Sequence, residues 1–158
     1  MTDIPQIGVA FVKLRENLET VAYPDPATKG PPWTVGYGHT GPEVVQGYTV
    51  DEPTANEMLI FDLHTALMRL EHCVGSVDAM NAYQLSALLS FVFNEGANPS
   101  WSIWDPVKRG AWAEVPAHLE QFIYANHVIN NGLINRRNDE VALWNGKHPL
   151  CAQYPLEG

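Results

Sequence analysis

The chain is poor in basic residues: 9 Lys and Arg stand against 18 Asp and Glu, for a formal charge of −9. A sequence-independent nucleic-acid binder needs Lys and Arg to displace counterions from phosphate, so this balance argues against one. It argues equally against docking on an anionic membrane surface. The candidate for a local basic patch is Asn135-Arg136-Arg137-Asn138. Long hydrophobic runs are missing too, and no stretch approaches the ~18 apolar residues of a spanning helix. The N-terminal MTDIPQIGVAFVKLRENLE places Asp3 ahead of any cation and has no unbroken apolar segment, so it resembles neither a secretory signal nor an anchor. Cysteine is scarce. Cys73 and Cys151 lie far apart and form no metal-type pair, which leaves two buried free thiols or one disulfide. His64, His72, His118, His127 and His148 fall at no metal-ligand spacing and read mostly as surface residues. No metal and no cofactor is expected.

What is present reads as a soluble globular chain, 46% hydrophobic and 17% charged. No repeat or long linker divides it, so residues 1–158 are expected to form one domain, with room for two lobes around a cleft. Asp3 and Pro5 signal a helix start, and Ile7, Phe11, Leu14 and Leu18 follow at helical spacing, predicting a helix to about residue 19. Thr49-Val-Asp-Glu52 reads as a capping box with Thr49 as N-cap. Behind it, Met58, Leu59, Leu63, Leu67 and Leu70 predict a long amphipathic helix. AYQLSALLSFVFN, residues 82–94, is nearly all apolar and predicts a central buried helix. Shorter helices are expected over 101–109 and 112–126, a turn at Asn130-Asn131-Gly132, and a last helix over 133–144 ended by Asn145-Gly146. The expected fold class is α+β: a mostly helical lobe and a small β-hairpin lobe over about 22–48.

The segment YPDPATKGPPWTVGYGHTG, Tyr23 to Gly41, mixes turn formers with aromatic and ionisable groups. A hairpin lobe this small cannot bury its own aromatics, and beside a helical lobe it leaves a cleft. Glu16 and Glu19 lie near the end of the first helix; Asp25 follows a turn, Thr34 opens the expected strand and His39 ends it. A carboxyl on a helix end facing another on a hairpin suits glycosidic cleavage, where one donates a proton to the leaving oxygen and the other activates water or stabilises the sugar cation. Spacing alone leaves Gly36 and Gly38 as turn residues and His39 as a satisfied polar residue.

At these residues the sequence resembles the phage-type lysozymes, glycoside hydrolase family 24. Glu16, eight residues on Asp25, then Thr34 leading into TVGYGHT is similar to that family's Glu, Asp and Thr ahead of Gly-Tyr-Gly-His-Thr. ALLSFVFNEG, 87–96, resembles its central helix, and GLINRRNDEVALW, 132–144, its GLxxRRxxE segment. The likeness runs from about residue 10 to 145. Two departures stand out. Asn17 follows Glu16 where the family has Gly, and eight residues separate Asp25 from Thr34 where five are usual.

The resemblance implies a lysozyme-like fold and a peptidoglycan muramidase without cofactor, an endolysin cutting the β-1,4 bond between N-acetylmuramic acid and N-acetylglucosamine. It implies Glu16 as general acid, with Asp25 and Thr34 activating water; the three extra residues either restore Thr34 to its place or displace it. Glu19 is the rival acid, six residues from Asp25 and off the pattern. His39 and Arg136 match positions that brace the acid, and Phe93 and Asn94 match positions lining the cleft, Phe93 serving core packing equally well. The implied partner is the peptidoglycan glycan strand, with no nucleic acid and no stable membrane association, the chain acting as a monomer. The implied setting is the host cytoplasm until holin-assisted release, then the cell wall in the periplasm. A lytic transglycosylase and an inactive wall-binding or phage structural protein are the rivals.

Overall fold

The computed structural model describes residues 2–157. The first helix, α1 (Gln6–Glu16), begins after Pro5, not at Asp3, and its N-cap makes no side-chain hydrogen bond. It stops at Glu16, three residues short of the expected end, because Asn17 takes a left-handed φ of 53°. Glu16 is therefore the last helical residue, and Glu19 already opens a strand. Ile7 and Phe11 are buried as expected, but Leu14 points into solvent at 61% exposure.

Three short strands follow, β1 (Glu19–Tyr23), β2 (Thr34–Gly36) and β3 (His39–Thr40), paired antiparallel in that order. Tyr23 faces Thr34 while Glu19 faces Gly36, so a bulge on β1 takes up the extra residues. The loop between β1 and β2 holds the three-residue insertion and closes on itself. Asp25 N donates to Gly30 O at 3.0 Å, Lys29 N to Asp25 O at 2.8 Å, and the Thr28 hydroxyl to Pro31 O at 2.7 Å. The insertion thus lengthens the loop and leaves Thr34 in the sheet. The small lobe has its own core of Ala22, Val35 and Val44, with Trp33, Tyr48 and Met58 packed on it.

The long helix α2 (Glu52–Val74) is capped by Asp51, whose carboxylate accepts from Thr54 N at 2.8 Å, and not by Thr49. Thr49 instead bridges to Val21 of β1. The sequence offers two side chains able to cap, and the sheet claims the first. Helix α3 (Ala82–Glu95) opens with a full capping box between Asn81 and Gln84 and is buried on most sides. Gly8 lets α1 cross it closely: a Cβ there would meet Ser86 Oγ at 2.9 Å. Around Phe91, Trp101, Trp104 and Phe122 form an aromatic cluster, Phe91 to Phe122 at 4.7 Å in T-shaped contact.

Beyond it come α4 (Trp104–Arg109), a 3-10 turn at Trp112–Glu114 and α5 (Val115–Leu119). The helix expected to reach 126 ends at 119, and Tyr124–Ala125 (β4) and Val128–Ile129 (β5) form a tight hairpin instead. Asn126 and His127 at its tip both have positive φ, 50° and 65°, the pattern of a type I′ turn. Asn130 caps α6 (Asn131–Trp144), accepting from Leu133 N at 3.0 Å, where a turn was expected. A final turn of helix, α7 (Leu150–Gln153), packs back on α1; the sequence reading did not anticipate it. Cys73 and Cys151 are both buried and free. No helix among the described residues is long and apolar enough to cross a membrane.

Candidate active site

The C-terminal end of α1 delivers Glu16 to the junction of the two lobes. Its Oε1 accepts from Arg136 Nη1 at 2.6 Å, an ion pair spanning 120 residues of sequence. Its Oε2 lies under Gly38: a Cβ built there would sit 3.0 Å from that oxygen and 3.7 Å from the Phe93 ring. Gly38 has φ 80° and joins β2 to β3, so both its backbone angle and the closeness of the carboxylate require glycine. Glu16, Arg136, Gly38 and Phe93 are thus brought together as neighbours.

Arg136 is itself anchored below. Its Nη2 donates to the backbone carbonyl and hydroxyl of Ser90, both at 3.3 Å, and its Nε lies 3.5 Å from Glu140 Oε2. Glu140 is fully buried and accepts from the Ser90 hydroxyl at 2.6 Å. Arg137 Nε lies 2.7 Å from Glu140 Oε1, an ion-pair distance though off the hydrogen-bond axis. Arg137 also reaches Glu95 at 3.2 Å and Asn94 Oδ1 at 2.7 Å. Burial pushes the Glu140 carboxyl up and the Arg137 guanidinium down from their ordinary values, and their attraction opposes both shifts.

On the hairpin side, Asp25 is half-buried and begins the β1–β2 loop. Its Oδ1 accepts from Ala27 N at 2.8 Å and Thr28 N at 3.1 Å, a local Asx turn that fixes the carboxylate on the loop. Thr34 lies across the sheet from Tyr23, two residues before Asp25. Burial and the nearby charge of Glu16 push the Tyr23 phenol above its usual range, against a hydrogen bond with the Thr34 side chain.

A cavity of about 560 Å³ opens beside Gly38 and Phe93, lined also by His39, Glu43, Asp62 and Arg69; Glu16, Asp25 and Thr34 do not line it. His39 does not brace Glu16, as the sequence reading expected. Its Nδ1 meets Asp62 Oδ2 at 2.8 Å and its Nε2 meets Glu43 Oε1 at 2.7 Å. The turn at Gly38 aims the following side chain at α2, away from α1. Burial works against a charged ring, but hydrogen bonds from the ring to Glu43 and Asp62 outweigh it and raise the His39 value. Asp62 is pushed up by its own burial, and its contact with His39 pulls the other way. His39 therefore ties the hairpin to α2 across the cavity.

The Phage lysozyme family matches residues 13–140 of the chain. The chain belongs to the phage lysozyme family. It is 30% identical over 148 residues to the endolysin of Bacillus phage PZA, covering 92% of this chain and 56% of that protein. The chain thus spans little more than half the length of that relative. It is 30% identical over 132 residues to the SAR-endolysin of Escherichia phage Mu, covering 82% of this chain and 75% of that one. Its fold is similar to that of the muramidase domain of SpmX from Asticaccaulis excentricus, with a TM-score of 0.79 at 27% identity over 91% of this chain and 98% of that one. The α+β, lysozyme-like architecture expected from the sequence is the one this chain adopts.

Several residues at this site escaped the sequence reading. Ser90, Glu140 and Arg137 stand behind Arg136, and the spacing of Arg136, Arg137 and Glu140 at i, i+1 and i+4 already places all three on one side of α6. Helical geometry could have found Glu140. Asp62 carries no comparable local signal, since its partner lies 23 residues away on another element. Asn94 is exposed and bonds Arg137, so it stands at the edge of the buried network.

Proposed function

We propose that this phage lysozyme hydrolyses the β-1,4 bond between N-acetylmuramic acid and N-acetylglucosamine in peptidoglycan, with inversion at the anomeric carbon. The observation that carries the reading is the Glu16 carboxyl: it ends α1 beside the hairpin, with one oxygen gripped by Arg136 and the other under Gly38. A carboxyl so held presents one face to a substrate and can give its proton to the leaving oxygen. Asp25 and Thr34 stand on the facing hairpin as the pair that orients and deprotonates water. A hydroxyl beside a carboxylate suits water better than a covalent intermediate. Leaving room for that water takes about 6.5–9.5 Å between the carboxyls, against about 5–5.5 Å for direct attack.

His39 supports the site indirectly, by fixing the hairpin to α2. Phe93 and Gly38 form the floor on which a sugar face can pack. The chain works as a monomeric endolysin without cofactor and reaches the wall from the host cytoplasm with a holin's help.

Mass and NMR analysis of a digest of purified peptidoglycan tests the proposal. Reducing N-acetylmuramic acid ends released first as the α-anomer are expected. A 1,6-anhydro end replaces hydrolysis with transglycosylation, first release of the β-anomer removes the water-activating role of Asp25 and Thr34, and an undigested wall leaves a binding or structural role.

A further inference from the structure

The buried side of Arg136 holds more charge than an ion pair with Glu16 needs. Two guanidinium groups, those of Arg136 and Arg137, enter the interior side by side on α6, at 6% and 0% exposure. Glu140 lies between them with no access to solvent. Its two oxygens are divided: Oε1 lies 2.7 Å from Arg137 Nε, and Oε2 takes the Ser90 hydroxyl at 2.6 Å while lying 3.5 Å from Arg136 Nε and 3.4 Å from Arg137 Nη2. The Arg136 guanidinium is therefore shared, one edge toward Glu140 and one nitrogen toward Glu16 at 2.6 Å. Burying this many charges is justified only when every one is paired, and a simple packing role is served as well by apolar side chains. The arrangement serves the end of the chain of contacts, where Glu16 stands.

We propose that Glu140 is a positioning residue for the reaction: it fixes the Arg136 guanidinium against Glu16 and balances the two arginines, so that the acid is held in place without being surrounded by uncompensated positive charge. This rests on the reading of Glu16 as the general acid. The physical conflict is direct. An arginine beside a carboxyl orients it but favours its proton-free form, in which it cannot act as an acid. A buried carboxylate on the far side of the same guanidinium relieves that conflict without loosening the grip. The charged and titratable groups facing this cluster are Glu16 of α1, Tyr23 of β1 beside it, Glu95 of α3, and Arg136, Arg137 and Glu140 of α6.

The test compares pH profiles of kcat/KM for wild type, Glu140→Gln and the double variant Glu140→Gln/Arg137→Gln, with Glu16→Gln as reference. Gln at 140 keeps an acceptor for Ser90 and removes only charge. The alkaline fall of activity is expected to begin about one pH unit lower in Glu140→Gln, with the loss at neutral pH carried mainly by kcat. The double variant removes one charge of each sign, and its alkaline fall is expected to return toward the wild-type pH. A merely structural Glu140 lowers the amount of folded enzyme and moves no limb. If Glu16→Gln is inactive and the limb stays put in Glu140→Gln, the inference is overturned while the assignment of the acid stands. If Glu16→Gln remains active, the assignment of the acid itself has failed. Should Glu140→Gln not fold, the double variant decides: a wild-type limb supports charge balance, and a limb displaced to lower pH overturns it.

Discussion

The two sides of the cleft hold their carboxylates by opposite means. Glu16 belongs to the helical side, where it ends a packed helix and is gripped by an arginine anchored in a fully buried network. Asp25 belongs to the hairpin side, where its carboxylate is set by the backbone amides of its own loop, at exposed positions. The large core stands behind the first; the small cluster of Ala22, Val35 and Val44, with Trp33, Tyr48 and Met58 packed on it, stands behind the second. Glu16 is fixed by long-range packing and Asp25 by local turn chemistry. The hairpin side can therefore accept a longer loop without disturbing Thr34, while the helical side has no comparable freedom.

The largest effect expected is on the helical side. Glu16→Gln should cut lysis by about 10²–10⁴-fold, because the amide keeps the shape and the contact with Arg136 but has no proton to donate. Glu19→Gln, at the exposed start of β1, should leave lysis near wild type. A wall-clearing assay on both variants decides, and a greater loss from the Glu19 change would reverse the assignment.

Arg136→Ala should lower stability by about 3 kcal/mol in denaturant unfolding and also reduce activity. It strips partners from the fully buried Glu140 and the partly exposed Glu16 at once. An unchanged melting temperature would mean that Arg136 is not what holds the helical side together.

Gly38→Ala sharpens the contrast at the seam. A positive φ costs a non-glycine residue about 1–2 kcal/mol, and the new methyl meets Glu16 Oε2 at 3.0 Å. Turnover should drop further than the stability loss accounts for, since the carboxylate must move. Turnover that simply tracks the folded fraction would remove Gly38 from the site.

The smallest effect concerns the tie between hairpin and α2. His39 has a raised value in the folded state, so its contribution to stability is complete below its unfolded value of about 6.5 and is lost as pH rises through the folded one. Between pH 6 and 9 the wild type should lose about 1 kcal/mol or less relative to His39→Gln, as solvent screening limits the pair. His148 is pushed down by burial and works in the opposite sense, contributing above about pH 6.5 and losing that contribution below it. Since His148 is common to both proteins, the comparison isolates His39, and parallel stability curves would show that the contact with Asp62 carries no net charge coupling.

The sequence by itself determined the long helices, because their apolar periodicity and the capping pair Asn81 and Gln84 act within a few residues. It also determined the order Glu16, Asp25, Thr34 and the presence of an early hairpin, since glycine, proline and β-branched residues act locally. Tertiary structure decided the rest, wherever a group had a choice of partner. Thr49 could cap α2 but pairs with Val21 in the sheet, so Asp51 caps it. The segment around Tyr124 has helical neighbours yet turns at Asn126 and His127, residues that tolerate a left-handed backbone. His39 could have faced α1 or α2, and the turn at Gly38 sent it to Asp62. The partner of Glu16 lies 120 residues away, and no local preference specifies a contact at that range. Only the packing of α6 against α3 puts that arginine within reach of Glu16, because an ion pair forms where folding brings its charges together.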